Sequence, residues 1–224
     1  MKYLNYPALL GALLLTSSAV GAQLLAAVPV QDEPRHRTVL RNLQVMVLRI
    51  QIPSGDESLM HTHENDAVHI TVQGSDVRET TPNGWWPSNH AASPDGLTYF
   101  SALGGKHYTH QIRTTGARAT HIVSVELLGN APSNPLALNA LPGAKQISVN
   151  PRAFVERLES STSVSLPPSP ANAVLVSLRQ GTLTGLESTA VMSPGSVHWI
   201  PAGTAVQTQT TSGFDNDVIY VRLR

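Results

Sequence analysis

The chain has 224 residues, 41% of them hydrophobic and 13% charged, with 16 Gly and 16 Pro. Its 15 basic and 15 acidic residues cancel to a formal net charge of zero, which argues against a basic nucleic-acid or anionic-lipid surface and against an acidic, disordered tail. Cysteine is absent, so disulfides and thiolate ligands are excluded, and any transition-metal site must be built from His and carboxylates.

The first element along the chain has the features of a targeting segment. Met1-Lys2 gives a basic start, Ala8 to Val20 is an apolar run, and Val20-Gly21-Ala22 offers small residues for a signal peptidase. The run is short for a bilayer span. The expectation is a signal peptide over residues 1–22, cleavage before Gln23, no stable membrane insertion afterwards, and an exported mature chain, periplasmic or extracellular.

From Arg37 onward the pattern is short strands and turns. Over residues 45–52, Met46, Leu48, Ile50 and Ile52 fall on one face and Arg49 and Gln51 on the other, and Pro53-Ser54-Gly55 ends the strand. Strand-like runs follow at Ala67 to Gln73, Leu97 to Ala102, Tyr108 to Arg113 and Thr120 to Leu128, separated by Gly- and Pro-containing turns at the spacing of an antiparallel sandwich or barrel. Trp85-Trp86 suits a cover over a barrel mouth, a protomer contact, or a loop packed on its own barrel. Asn130 to Lys145, rich in Pro, Asn, Ala and Gly, has the composition of a linker. Beyond it, Arg152 to Leu158 reads equally as helix or strand. Ser160 to Pro170, with three prolines, reads as a loop, and Ala173 to Leu178, Gly195 to Ile200, Val206 to Thr210 and Val218 to Leu223 read as strands.

The two halves share a faint repeat: the run from Gly96 to Gly104 aligns with that from Gly195 to Gly203, and each is followed by a Thr-rich turn and a closing apolar strand. The organisation expected is a first unit over residues 35–129, a linker over 130–148 and a second unit over 149–224. Open sheet edges make a homodimer plausible, although no residue specifies it.

The segment richest in chemistry is Gly55 to Gly74. In an extended chain His61 and His63 project to the same side, so two imidazoles can grip one ion from adjacent corners of its coordination sphere. A third imidazole from a later strand would complete the site. His107 and His110 are candidates with opposite parity, so one regular strand can point only one of them inward; His110 is preferred. His69 is a further candidate, while His36, His90, His121 and His198 lack a ligand-spaced partner and read as ordinary surface or core histidines. Strand parity places Tyr99, Tyr108 and Thr71 along the same interior.

These residues carry a resemblance to the cupins. The family's first motif places a Gly, a His-x-His pair, a Glu and a closing Gly at spacings that Gly55, His61, His63 and Gly74 match. The glutamate position falls on Ala67, so the usual carboxylate ligand is missing. The second motif is matched by Gly96 and Gly104, with Ala102 in place of its proline; counting forward from it gives His107, and counting back from Gly116 gives His110. In the second half Gly195, Pro201 and Gly203 match that motif, yet Val206 and Gln207 stand where a histidine would fall. The resemblance implies an all-β protein of two tandem jelly-roll barrels, only the first holding a metal. The ligand set His61, His63 and His110 is similar to the three-histidine iron centres of thiol dioxygenases. It implies Fe(II) before Mn(II), Zn(II) or Ni(II), a small-molecule substrate or ligand, and either dioxygenase-like chemistry or a non-catalytic binding role.

Overall fold

The computed structural model describes residues 26–82, 88–210 and 215–224. The targeting segment at 1–22, Trp85-Trp86 and the turn Thr211-Ser212-Gly213 therefore lie outside the described residues.

The first half forms strands β1 (Val28–Pro29), β2 (His36–Arg41), β3 (Val45–Ile52), β4 (His61–His63), β5 (Asp66–Gln73), β6 (Val77–Thr80), β7 (Ser88–His90), β8 (Thr98–Ser101), β9 (Tyr108–Thr114) and β10 (Thr120–Leu127). They make two facing sheets, ordered β1-β4-β9-β6-β7 and β2-β3-β10-β5-β8. The second half forms β11 (Lys145–Val149), β12 (Ala153–Ser160), β13 (Ser163–Leu166), β14 (Ala173–Ser177), β15 (Gly181–Thr184), β16 (Ala190–Met192), β17 (Val197–Ile200), β18 (Val206–Thr210) and β19 (Asn216–Leu223). Its sheets run β11-β12-β19-β14-β17 and β13-β18-β15-β16. Apart from β1, which has no counterpart among the described strands, the orders correspond strand for strand, with β12 standing where β3 does and β19 where β10 does, so the architecture is all-β with two jelly-roll barrels in tandem.

Two sequence expectations are refined. Arg152 to Leu158 resolves to strand, as Ala153–Ser160 pairs along its whole length with β19. The stretch from Ser160 to Pro170 is not simply a loop: Ser163–Leu166 pairs antiparallel with β18. Its prolines follow the strand rather than interrupt it, and Val164 and Leu166 supply the alternating buried positions.

The middle of the molecule explains why several strands are apolar on both faces. Val47 from β3, Val68, Ile70 and Val72 from β5, and Val125 from β10 form one buried cluster with Val155, Val174, Ile219 and Val221 of the second half. The inner sheets of the two barrels thus pack face to face, and every residue of β19 is buried. The opposite face of β3 (Met46, Leu48, Ile50 and Ile52) points into the first barrel, as its alternation predicts.

The glycine repeat has a structural meaning. Gly96 and Gly195 open corresponding turns at φ of +83° and +81°, conformations that L side chains rarely adopt. Each also abuts the opposite barrel. A Cβ on Gly96 would lie 2.8 Å from the Arg157 guanidinium, and one on Gly195 would lie 2.5 Å from the His121 ring. Arg49, on the strand equivalent to that of Arg157, donates to the Gly195 carbonyl at 3.1 Å. The contacts are reciprocal, as expected of two related units facing each other.

Candidate metal centre

His61 and His63 alternate on β4, and both are buried. Strand β9 pairs antiparallel with β4, setting His110 directly opposite His61. Thr62 and Thr109, on the other face, share a hydroxyl hydrogen bond of 2.8 Å that pins this register. One imidazole nitrogen from each of His61, His63 and His110 comes within 4.8 Å of the other two.

The orientation of each ring is fixed from behind. His61 Nδ1 lies 2.9 Å from the Leu59 carbonyl, His63 Nδ1 3.1 Å from Glu126 Oε1, and His110 Nδ1 2.8 Å from Glu79 Oε1. Carbonyls and carboxylates only accept, so each Nδ1 carries the proton and donates it. Three Nε2 lone pairs are left facing the barrel interior. His63 Nε2 and His110 Nε2 stand 3.3 Å apart, and His61 Nε2 is buried without a partner. Lone pairs converging in a buried space repel one another unless a cation lies between them, and backing of ring N–H groups by acceptors is the usual support of metal-bound histidine. The donor set therefore fits a divalent ion with open positions.

Burial favours the uncharged form of His36, His61, His69 and His110. It lowers His36 to a pKa of about 2 and His61 and His69 each to about 3, and the neighbouring imidazoles add to the effect. His110 is also lowered, chiefly by burial, although Glu79 opposes the shift. Glu79 falls to about 2, first because of its hydrogen bond with His110. It gathers further donors: the Tyr108 hydroxyl, and His90 at 3.3 Å.

The candidates separate cleanly. His110 joins the pair, whereas His107 is exposed and pairs with Glu64 at 3.2 Å. His69 lines the same cavity, its ring centroid 6.0 Å from that of His63, but it stays outside the group of three. Tyr99, Tyr108 and Thr71 line that cavity too. His36 was read as ordinary, yet its ring sits edge-on to His61 with centroids 4.4 Å apart. Ala67 leaves the glutamate position empty, and Glu126 stands directly across the ladder from it. Glu126 is fully buried, and it also accepts from the Ser124 hydroxyl. A carboxyl group thus stands on the neighbouring strand, holding the His63 ring.

The second barrel has no such group among the described residues. Val164, Leu166 and Val206 fill the interior at its β13–β18 pairing, where the first barrel has its imidazoles. Arg222, at the position corresponding to Glu126, forms a buried ion pair with Glu156 at 2.6 Å.

No family model matches the sequence, and no curated protein matches it. Solved structures do match in shape. A cupin 2 conserved barrel domain protein from Leptotrichia buccalis is 11% identical, covering 89% of this chain and all of its own, at a TM-score of 0.51. AerE from Microcystis aeruginosa is 9% identical over 86% of this chain and 98% of its own, at 0.56. A salicylate 1,2-dioxygenase from Pseudaminobacter salicylatoxidans is 12% identical over 84% and 76%, at 0.51. At such identities the likeness speaks to fold alone, and on that ground the chain is a two-barrel protein of the cupin fold.

Proposed function

We propose that the protein holds one divalent metal, Fe(II) by preference, through His61, His63 and His110, and uses it in dioxygenase-like chemistry on a small molecule. The observation that carries this reading is the set of three inward-facing Nε2 atoms, each ring fixed through its own Nδ1 acceptor. A metal bound there supplies Lewis acidity and a meeting point for substrate and oxygen. The chain's own residues orient the ligands, line a cavity of about 420 Å³ and leave Tyr99 and Tyr108 partly exposed at its wall. The fold neighbour named a salicylate 1,2-dioxygenase supports the choice of reaction class by analogy only.

Anaerobic loading with Fe(II), followed by oxygen-uptake measurements across a panel of small aromatic and enolic compounds, tests the reading. Uptake that requires both iron and one class of compound is expected; a loaded protein inert to the whole panel favours the second reading, a metal-dependent binder without turnover. That second reading draws on Ala67, which removes the carboxylate ligand of the family motif. Export of the mature chain belongs to the same proposal, and N-terminal sequencing of secreted protein is expected to begin at Gln23.

A further inference from the structure

The wall of the first-barrel cavity carries an unusual charge pattern. Among the described residues lining it there is no Lys or Arg. Residues 83–87, Asn-Gly-Trp-Trp-Pro, contain none either. The lining is otherwise largely apolar (Ile50, Ile52, Val77, Ile112 and Ile122 among it) with hydroxyls, imidazoles and the Glu79 carboxylate. Two acidic side chains, Glu79 and Glu126, already stand directly behind the ligand imidazoles. An anionic guest would meet the acidic Glu79 on the wall and no cationic side chain among the described lining residues to pair with it.

The wall also offers neutral polar groups. His69 and Tyr99 come from the paired strands β5 and β8, opposite each other in register. Their ring centroids are 5.0 Å apart, and both line the cavity. An uncharged imidazole and a phenol side by side suit a hydroxyl or carbonyl oxygen.

We infer that this cavity selects an uncharged, single-ring-sized molecule bearing a hydroxyl or carbonyl oxygen, held by His69 and Tyr99, and discriminates against carboxylates. The selection sets it apart from the fold neighbour named a salicylate 1,2-dioxygenase. It deepens the proposed function, since the guest would lie beside the three imidazoles, but the cavity's charge pattern exists with or without the ion.

Salicylamide and salicylate differ little in shape and by one charge at neutral pH, so titration calorimetry with this pair, on metal-free and metal-loaded full-length protein, reads the selection directly. Salicylamide is expected to bind at least about tenfold more tightly than salicylate in both forms. His69→Phe and Tyr99→Phe should each weaken salicylamide about fivefold while leaving metal content unchanged. Leu103→Lys, which sets an ammonium on the cavity wall, should shift the preference toward salicylate. Equal affinities, a preference for salicylate, or no binding of salicylamide to either form would overturn the inference. A chain that binds no metal yet keeps the preference would sink the metal reading and leave this one standing.

Discussion

The Nδ1 atoms of His61, His63 and His110, each tied to a different acceptor, decide what the site can do, because they fix the direction of the remaining nitrogens. Glu126 and Glu79 act through the rings they hold. Replacing Glu126 by Leu keeps the site apolar in volume but frees His63, and metal affinity should fall about 10–100-fold, measured by competition with a chelator. Glu79→Gln should have a smaller effect, because an amide oxygen still accepts from His110 Nδ1; equal losses for the two variants would show that carboxylate charge rather than ring orientation governs affinity. That His61 and His63 share one face was legible in the sequence because a period of two is a local property of a strand. Tyr99, Tyr108 and Thr71 were legible for the same reason. Glu126, Glu79 and His36 were not: each reaches the site through the register of strand pairing, and no local spacing encodes that register.

At the scale of elements, β4 and β9 bring the three histidines together only in one register, since a one-residue slip would turn His61 and His63 out of the barrel. Longer strands with clear alternation, such as Val45–Ile52, could be read from sequence, whereas Val77–Thr80 and Ser163–Leu166 are short and rich in polar residues and take their strand character from their neighbours. The turn before β8 gives a test of the packing between units. Gly96→Ala meets both a left-handed backbone and the Arg157 guanidinium, whereas Gly55→Ala meets the same kind of backbone with open space around it. Backbone strain alone costs about 1–2 kcal/mol. Urea denaturation should show a loss of that order for Gly55→Ala and a clearly larger one for Gly96→Ala.

Across the whole molecule, the inner sheets bury a shared apolar layer, so the two barrels are expected to unfold together. Ile219→Ala, in the second barrel, removes a side chain from that layer and should cost about 2–5 kcal/mol, with the metal-bearing barrel losing its ion at the same denaturant midpoint. The layer's edge is also acid-sensitive. His121, whose ring borders Gly195 of the other barrel, is lowered to about 4 by burial first and by Arg49 second. A depressed histidine binds its proton more readily in the unfolded chain, so its stabilising contribution is complete above the unfolded value near 6.5 and is lost as pH falls toward 4. Metal-free protein should therefore melt at lower temperature as pH drops through this window, and His121→Gln should flatten the slope. One barrel carries converging imidazoles and the other an apolar filling and an ion pair, so the account requires one ion for each two-barrel chain. Metal analysis of purified protein beside a His61→Ala/His63→Ala variant, with circular dichroism confirming that both are folded, tests this most directly. About one divalent ion per wild-type chain and almost none in the folded variant is the predicted result; wild-type protein that takes up no ion, or a variant that retains it fully, would contradict the account.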